Sequence, residues 1–175
     1  MRKDSGASGR RRSFGFLARF LLLLLAFYAV VAWRPVNDRA VVPFTAGIAR
    51  AGGWILNRMG ERVTVEGTRI ASAAFSVNVE NGCNGIETAL LFGSAVLAYP
   101  ATWAWRAAGL AMGFAAIELV NLVRVVSLFW IGAHRRELFT TSHTVLWQSA
   151  VVLVGVLLFL LWATRRPAVE LPRRR

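Results

Sequence analysis

The sequence predicts an all-α polytopic membrane protein with four transmembrane helices, one interfacial or re-entrant helix and a short extracytoplasmic β-hairpin. Three observations lead to this fold class. Apolar residues make up 56% of the 175-residue chain, which exceeds the roughly 45–50% that is usual in soluble proteins. The mean hydropathy is positive, at +0.50. The apolar residues also concentrate in long runs, each near the length that a helix needs to cross a hydrocarbon core of about 30 Å.

Each of these apolar runs predicts one membrane span. They cover about residues 14–33, 84–103, 107–131 and 143–163. The first run follows a basic segment, as the apolar part of a signal peptide does, but no small-residue cleavage site follows it. Trp33 and Arg34 instead have the character of an interfacial border. We therefore expect the first span to stay uncleaved.

The net charge of +12 is concentrated at the two ends of the chain and beside the apolar runs. Residues 1–13 predict a disordered basic cytoplasmic tail, residues 14–164 a single membrane-embedded domain, and residues 165–175 a second basic cytoplasmic tail. Arg106 lies in the short connection predicted at residues 104–107, which suits a cytoplasmic turn. Basic ends that adjoin membrane spans without a folded module of their own argue against nucleic-acid binding.

With both termini inside and four spans, residues 34–82 and 132–142 face the outside. Within the first of these segments, residues 43–59 predict an amphipathic helix. Its apolar positions recur at helical spacing: Phe44, Ile48, Ala51, Ile55 and Met59. We expect this helix to lie in the interface, and the sequence leaves open whether it dips into the membrane or crosses it. Residues 62–80 alternate apolar and polar side chains around Glu66 and Gly67, which predicts a β-hairpin.

Cys83 is the single cysteine of the chain. One cysteine excludes an internal disulfide, and no Cys/His spacing resembles a zinc site. We therefore expect a free thiol, with no metal and no cofactor. Its function depends on which side chains the membrane topology brings near it.

The predicted topology places Cys83, Arg124 and His143 on the same side of the membrane. Cys83 opens the second span, Arg124 lies in the outer part of the third, and His143 opens the fourth. About seven residues separate Arg124 from the predicted helix end near Ile131, or roughly 10 Å. Three helices are therefore expected to bring a thiol, a guanidinium and an imidazole into one shallow pocket.

This combination suits nucleophilic catalysis. The pKa of a thiol falls at a helix N-terminus or beside a cation, and Cys83 has both in this prediction, with Asn81 and Gly82 as the cap and turn before the helix. His143 can act as base and then acid, while Arg124 can stabilise an oxyanion. The alternatives are an inert small cysteine, an interfacial histidine and an arginine that snorkels to the membrane surface.

Further polar residues interrupt the apolar runs and need partners there. Glu87 lies four residues after Cys83 and Asn121 three before Arg124, so each shares a helix face with a candidate catalytic residue. Together with Asn81 they are candidates for supporting the site. Glu118 lies on a different face, which favours a counter-ion or an inter-helix hydrogen-bond partner. Plain helix packing is the alternative for Glu87, Glu118 and Asn121.

The stretch from Asn81 to Ile86, the segment Asn121-Leu122-Val123-Arg124-Val125 and His143 together resemble the exosortase/archaeosortase family, most closely its compact exosortase H type. The resemblance covers about residues 14–164. It implies a polytopic cysteine transpeptidase with Cys83 as nucleophile, Arg124 as the stabilising arginine and His143 as acid/base. Asn84 stands where Ser or Thr is common, and Val125 where Ile is common.

The resemblance also implies the substrate and the location. Exosortases process exported proteins that carry a C-terminal sorting signal, made of a short motif, an apolar helix and a basic cluster. The compact type implies IPTL targets rather than PEP targets, cleaved at the outer face of the bacterial inner membrane through a thioacyl intermediate. The rival interpretation is a non-catalytic membrane subunit or carrier, in which the intramembrane polar residues only pack or bind.

Overall fold

The computed structural model describes residues 5–165. In chain order its elements are α1 (Ser5–Ala32), α2 (Arg34–Val36), a π-helical turn (Asn37–Val41), α3 (Val42–Arg58), β1 (Thr64–Glu66), β2 (Arg69–Ala71), β3 (Ser76–Asn78), α4 (Ile86–Ala98), α5 (Trp103–His134), α6 (Arg136–Thr141), a second π-helical turn (Ser142–Trp147) and α7 (Gln148–Thr164). Helix α1 starts at Ser5, so residues 5–13 are helical where we expected a disordered tail. Residues 1–4 and 166–175 of the predicted tails lie outside the described residues.

Three helices in the described part of the chain are long and apolar enough to cross a membrane: Ser13–Ala32, Trp103–His134 and Arg136–Thr164. These confirm a helical, multi-pass membrane protein. The second predicted span, at residues 84–103, differs because α4 has only 13 residues. At 1.5 Å per residue it is about 20 Å long, which is shorter than a hydrocarbon core. The structure therefore does not confirm the prediction of four full spans.

Backbone conformation at both ends keeps α4 short. Gly85 precedes the helix with φ +82°, in the left-handed region that glycine adopts without strain. At the other end Tyr99 is extended, with ψ 138°, as is usual for a residue that precedes proline, here Pro100. Helix α4 nevertheless packs among α1, α5 and α7. Asn84 and Gly85, which directly precede the helix, are buried.

The other two span boundaries also differ from the prediction. Helix α5 begins at Trp103, where the Thr102 hydroxyl accepts a hydrogen bond from the Trp105 N–H at 3.4 Å. Such a cap starts the helix ahead of the predicted turn, so residues 104–107 are helical and residues 99–102 form the connection. The last span begins at Arg136 rather than at His143. His143 is therefore inside a continuous helical segment.

A cluster of aromatic side chains packs the helices together at one end of the bundle. The Phe16 ring packs on Phe159 and Tyr99 at centroid distances of 6.2 and 6.3 Å, and Trp105 stacks on Trp162 at 6.3 Å. These residues belong to the first half of α1, the end of α4, the start of α5 and the end of α7. The N-terminal end of α4, where Cys83 lies, is consequently at the opposite end of the bundle.

Helix α3 matches the predicted helix at 43–59 to within one residue at each end, but its buried face is different. The buried residues are Thr45, Ala46, Ala49, Gly52, Gly53 and Leu56, one position away from the predicted apolar face. Ala49, Gly52 and Gly53 are small enough for close backbone approach to α5 and the sheet. Ile55 and Met59, from the predicted face, line an apolar groove against α5.

The predicted hairpin at residues 62–80 is a three-stranded antiparallel sheet, in the order β1-β2-β3. The predicted turn is present, with Gly67 at φ +58°. Alternation of apolar and polar residues did not reveal β2, a three-residue strand that pairs with both neighbours. The central residue of β2, Ile70, is fully buried in a core cluster with residues of α3 and α5. The sheet is therefore anchored to the helices.

Gly53 offers a test of this packing. A methyl group at Gly53 would overlap the Val65 side chain of β1, whereas one at Gly47 of the same helix would meet nothing within 4 Å. We expect Gly53→Ala to destabilise the fold by about 1–3 kcal/mol through overpacking. Gly47→Ala should instead stabilise the fold by about 0.4–1 kcal/mol, because alanine lowers the conformational entropy of the unfolded chain. Thermal unfolding in detergent micelles measures both, and equal midpoints for the two variants would contradict the packing.

Candidate active site

The Cys83 loop, defined here as residues 79–85, holds the thiol between two glycines in left-handed conformation. Gly82 has φ +88° and Gly85 φ +82°, values that residues other than glycine rarely adopt. Between them the Cys83 N–H donates to the Glu80 carbonyl at 2.9 Å. The loop therefore turns sharply twice, which presents the Cys83 side chain to α5 and to the second π-helical turn.

Side-chain amides fasten this loop to the π-helical turn and to α3. The Asn81 amide donates to Asn37 Oδ1 at 3.0 Å, and the buried Asn84 amide donates to Thr45 Oγ1 at 2.9 Å and to Asn81 Oδ1 at 3.3 Å. Asn84 Oδ1 also accepts the Ile86 N–H at 3.2 Å. Asn84, rather than Asn81 as we predicted, thus satisfies the first N–H of α4. Nothing in the sequence spacing linked Asn84 to Thr45.

The structure brings Cys83, Arg124 and His143 together. Cys83 Sγ lies 3.0 Å from His143 Nε2, and Arg124 Nη2 donates to the same sulfur at 3.6 Å. When the imidazole proton is on Nδ1, Nε2 can accept a hydrogen bond from the thiol. The three side chains come from three separate elements, as the topology predicted. Their chemical roles stay a prediction.

Arg124 is 2% exposed, so its guanidinium does not snorkel to the surface. Its Nη1 donates to the Gly82 carbonyl at 3.2 Å and its Nη2 to Gln148 Oε1 at 3.2 Å. Ten residues separate Arg124 from the end of α5 at His134, or about 15 Å of helix. Arg124 therefore lies further from the end of its helix than the roughly 10 Å that the predicted helix end implied.

Gln148 is a member of the site that the sequence did not indicate. It follows His143 by five residues, which in an α-helix places two side chains about 140° apart. The π-helical turn at Ser142–Trp147 intervenes, and its i to i+5 hydrogen bonding brings residues five apart into line. His143 and Gln148 consequently both reach the Cys83 and Arg124 pair. Such turns occur frequently at functional sites.

Aromatic rings pack against the imidazole of His143. The Phe139 ring is parallel to His143 at a centroid distance of 5.8 Å, and Phe75 packs edge-on against Phe139 at 5.3 Å. Arg136 Nη2 donates to the Ala74 carbonyl at 2.7 Å. The loop between β2 and β3 is therefore attached to the helix that carries His143.

The remaining predicted residues lie near the site without hydrogen-bonding to the three central side chains. Asn121 is fully buried, and its amide has no hydrogen-bond partner in the described residues. The Glu87 carboxylate faces Gly82, and the Glu118 carboxylate faces Gly85. Both Glu118 oxygens are buried without a partner within residues 5–165, so the structure shows no counter-ion role for Glu118.

The thiol environment differs from the one that we expected. Burial raises the pKa of the Cys83 thiol, and this exceeds the lowering of the pKa by Arg124, while Glu80 and Glu87 raise the pKa further. From the helix N-terminus and the nearby cation alone, we had expected a lowered pKa for the Cys83 thiol. Since the net shift is upward, the neutral thiol is favoured at rest, and Cys83 needs a base to become a nucleophile. No group of three or more His, Cys, Asp or Glu in the described part of the chain could hold a metal ion.

A family model described as transmembrane exosortase (Exosortase_EpsH) matches residues 7–163. The matched range includes Cys83, Arg124, His143 and Gln148, and it extends from the first span to the last. No curated protein and no solved structure matches the chain.

The pH dependence of alkylation tests the thiol environment, because only the thiolate reacts and Cys83 is the single cysteine. Since burial raises the pKa of Cys83, we expect the rate with N-ethylmaleimide to reach half its maximum at a higher pH than for a cysteine peptide. Arg124→Gln removes the cation that lowers the pKa and should move this midpoint further up. Arg69→Gln, on the exposed sheet, is the control, and a midpoint at or below that of the peptide would contradict the prediction.

Proposed function

The chain belongs to the transmembrane exosortase family, and from that premise we propose that it is a cysteine-dependent membrane peptidase and transpeptidase. Its proposed substrates are exported proteins with a C-terminal sorting signal, and the resemblance to the compact type favours IPTL targets. The observation that carries the proposal is the contact of Cys83 Sγ with His143 Nε2 at 3.0 Å, beside the Arg124 guanidinium.

In the first step His143 removes the thiol proton. Because burial raises the pKa of Cys83, the site depends on a base in direct contact with the sulfur, and Nε2 is placed for this. The thiolate then attacks the scissile carbonyl carbon. A C–S bond forms, and the carbonyl electron pair moves to its oxygen.

Arg124 is placed to stabilise that oxygen. Its guanidinium is next to the sulfur, and the Gly82 carbonyl and Gln148 amide hold it there before substrate arrives. A cation that is already oriented in a water-poor site stabilises developing charge without reorganisation, an effect of several kcal/mol in other acyl transfers. Arg124 thus supports both the thiolate and the tetrahedral intermediate.

Collapse of the intermediate breaks the C–N bond of the sorting signal. The His143 imidazolium gives its proton to the leaving amine, so the tail departs with a neutral N-terminus and Cys83 keeps the exported protein as a thioester. An amine or water then attacks the thioester and restores the thiol. No cofactor takes part in these steps.

We further propose that the active site faces the outside of the bacterial inner membrane, with both termini in the cytoplasm. The early part of α1 and the end of α7 meet in the aromatic cluster, at the opposite end of the bundle from Cys83. Arg106 lies beside that cluster, where its guanidinium donates to the Tyr99 carbonyl at 2.9 Å. Cationic residues at this end favour the cytoplasmic side.

Replacement of Cys83 separates the enzyme from the non-catalytic alternative. With a co-expressed target that carries a sorting tail, we expect Cys83→Ala and the near-isosteric Cys83→Ser to abolish tail removal, because neither supplies a thiolate. Gly47→Ala, at an open position of α3, serves as a control with wild-type cleavage. Tail removal that persists in both Cys83 variants at equal protein levels would contradict the enzyme proposal.

Gln148 tests the positioning of Arg124. Gln148→Leu removes the Oε1 that accepts from Arg124 Nη2, and loss of a hydrogen bond to a charged group costs about 1.5–3 kcal/mol. We expect the rate of tail cleavage to fall by about tenfold or more, with the alkylation midpoint of Cys83 shifted as Arg124 moves. Ser149→Ala, at the exposed next position, is the matched control. Equal cleavage rates in both variants would refute this role.

A further inference from the structure

The free edge of strand β3 leads directly into the Cys83 loop. β3 pairs with β2 along one edge, and no other helix or strand within the described residues runs alongside it. Two of its three residues, Ser76 and Asn78, are exposed. The catalytic contacts described above do not use this edge of the sheet.

The register shows which backbone groups the free edge presents. In an antiparallel pair, hydrogen-bonded residues alternate with residues whose N–H and C=O point away from the partner strand. Just after β3, the Val79 N–H donates to the Thr68 carbonyl at 2.9 Å. Two residues earlier, Val77 belongs to the same hydrogen-bonded set, whereas Ser76 and Asn78 belong to the other. Their N–H and C=O groups therefore point away from β2, and in the described part of the chain no hydrogen bond reaches them.

The opposite edge of the sheet is closed by α3. The Asn57 side chain donates to the Val63 carbonyl at 3.1 Å and accepts the Val63 N–H at 2.9 Å, as a neighbouring strand would do. Val65 of β1 lies against Gly53 of the same helix. An unpaired strand edge is a template for pairing with another chain. The fold therefore covers the edge at β1 and leaves the edge at β3 available.

β3 connects the two parts of the chain that carry the imidazole and the thiol. Just before the strand, Phe75 packs on Phe139, whose ring is parallel to His143. Just after the strand comes the Cys83 loop, and Val77 and Cys83 pack against the same core cluster. A chain that lies along β3 therefore passes from the His143 side of the site to the Cys83 side.

The direction of β3 matches the direction in which a substrate arrives. Phe75, before the strand, packs on Phe129 and fills the space beside Gly132, near the end of α5. Gly82, after the strand, contacts Arg124, which is about 12 Å further along the helix axis. In the proposed orientation β3 thus runs inward, as does a substrate that has its exported part outside and its apolar helix in the membrane.

We propose that the free edge of β3 binds the polypeptide segment before the scissile bond as an added parallel strand, which leads that bond to Cys83. The N–H and C=O groups of Ser76 and Asn78 form the hydrogen bonds. Main-chain pairing of this kind gives affinity for any extended segment, and side-chain contacts then give specificity. The inference rests on the proposed peptidase function for the identity of the segment, and it adds the binding mode and its site.

Proline at position 76 tests the edge. Proline lacks the N–H, and strands accept it where the N–H points away from the neighbouring strand. Ser76→Ala is the matched control, because it also loses the hydroxyl that accepts from Arg69 at 3.1 Å but keeps the N–H. The affinity of a fluorescent peptide with an IPTL sorting signal is measured in micelles, on full-length protein that carries Cys83→Ala to prevent cleavage.

We expect Ser76→Pro to raise the Kd of this peptide by about tenfold, the upper range for loss of one hydrogen bond, and Ser76→Ala to leave it nearly unchanged. Equal Kd values for the two variants overturn the proposal. Pairing of two β3 edges in a dimer is the other way to cover this edge. It predicts that Ser76→Pro lowers the mass of the particles in light scattering while the peptide affinity stays the same, and this result also overturns the proposal.

N-methylation of the peptide gives a second test, which remains valid if Ser76→Pro does not fold. An added strand turns the N–H groups of alternate residues toward β3. Methylation of each N–H in turn should therefore weaken binding by about tenfold at every second residue before the scissile bond, with little effect between them. A response without this alternation overturns the proposal.

Failure of the proposed function gives a different result. If the tail of a co-expressed target is released equally by wild type and Cys83→Ala while peptide binding keeps the two-residue alternation, the peptidase function falls and the binding site stands. If release depends on Cys83 and the alternation is absent, only the binding mode falls.

Discussion

The buried guanidinium of Arg124 is the constraint on which the rest of the site depends. A charge inside an apolar helix is costly unless it is paired or hydrogen-bonded, and Arg124 is 2% exposed. Its partners are the Gly82 carbonyl, the Cys83 sulfur and the Gln148 amide oxygen, from two other parts of the chain. Satisfying one cation therefore sets the distance from α5 to both the Cys83 loop and α7, on which the proposed catalysis depends.

The Cys83 loop reaches this cation through two sharp turns before α4 begins at Ile86. The start of α4 is only two residues from the predicted start of the second span, and most of the missing length lies at the other end, where α4 ends at Ala98. Glycines at both sides of the Cys83-Asn84 pair make the two turns, and Asn84 fastens the loop to Thr45 of α3. These turns and this hydrogen bond thus bring the Gly82 carbonyl and the Cys83 sulfur to Arg124.

Sequence reasoning found Cys83, Arg124 and His143 because polar residues in apolar runs are conspicuous and because membrane topology limits where they can lie. It missed Gln148, because a separation of five residues from His143 places the two side chains on different faces of an α-helix. A π-helical turn brings them together, but no pattern of apolar residues in the sequence indicates such a turn. The same limit applies to α3, whose buried face is set by Ala49, Gly52 and Gly53. Hydrophobic periodicity identifies the apolar face of a helix, but close packing between helices favours the face with small residues. Strand β2 was missed because Ile70 is its single large apolar residue, so its sequence shows no alternation.

The segments outside the bundle reach His143 through a series of packed aromatic rings. Phe75, from the loop after β2, packs on Phe129 of α5 and on Phe139 of α6, and the Phe139 ring is parallel to the imidazole. Gly132 leaves the space that the Phe75 ring occupies. Because Ile70 anchors the sheet to α3 and α5, the base is held by a continuous set of packed rings rather than by one helix alone. In the proposed mechanism, a thiol whose pKa is raised by burial reacts only when a base contacts it. The orientation of the imidazole that this mechanism requires therefore depends on the sheet as much as on the membrane helices.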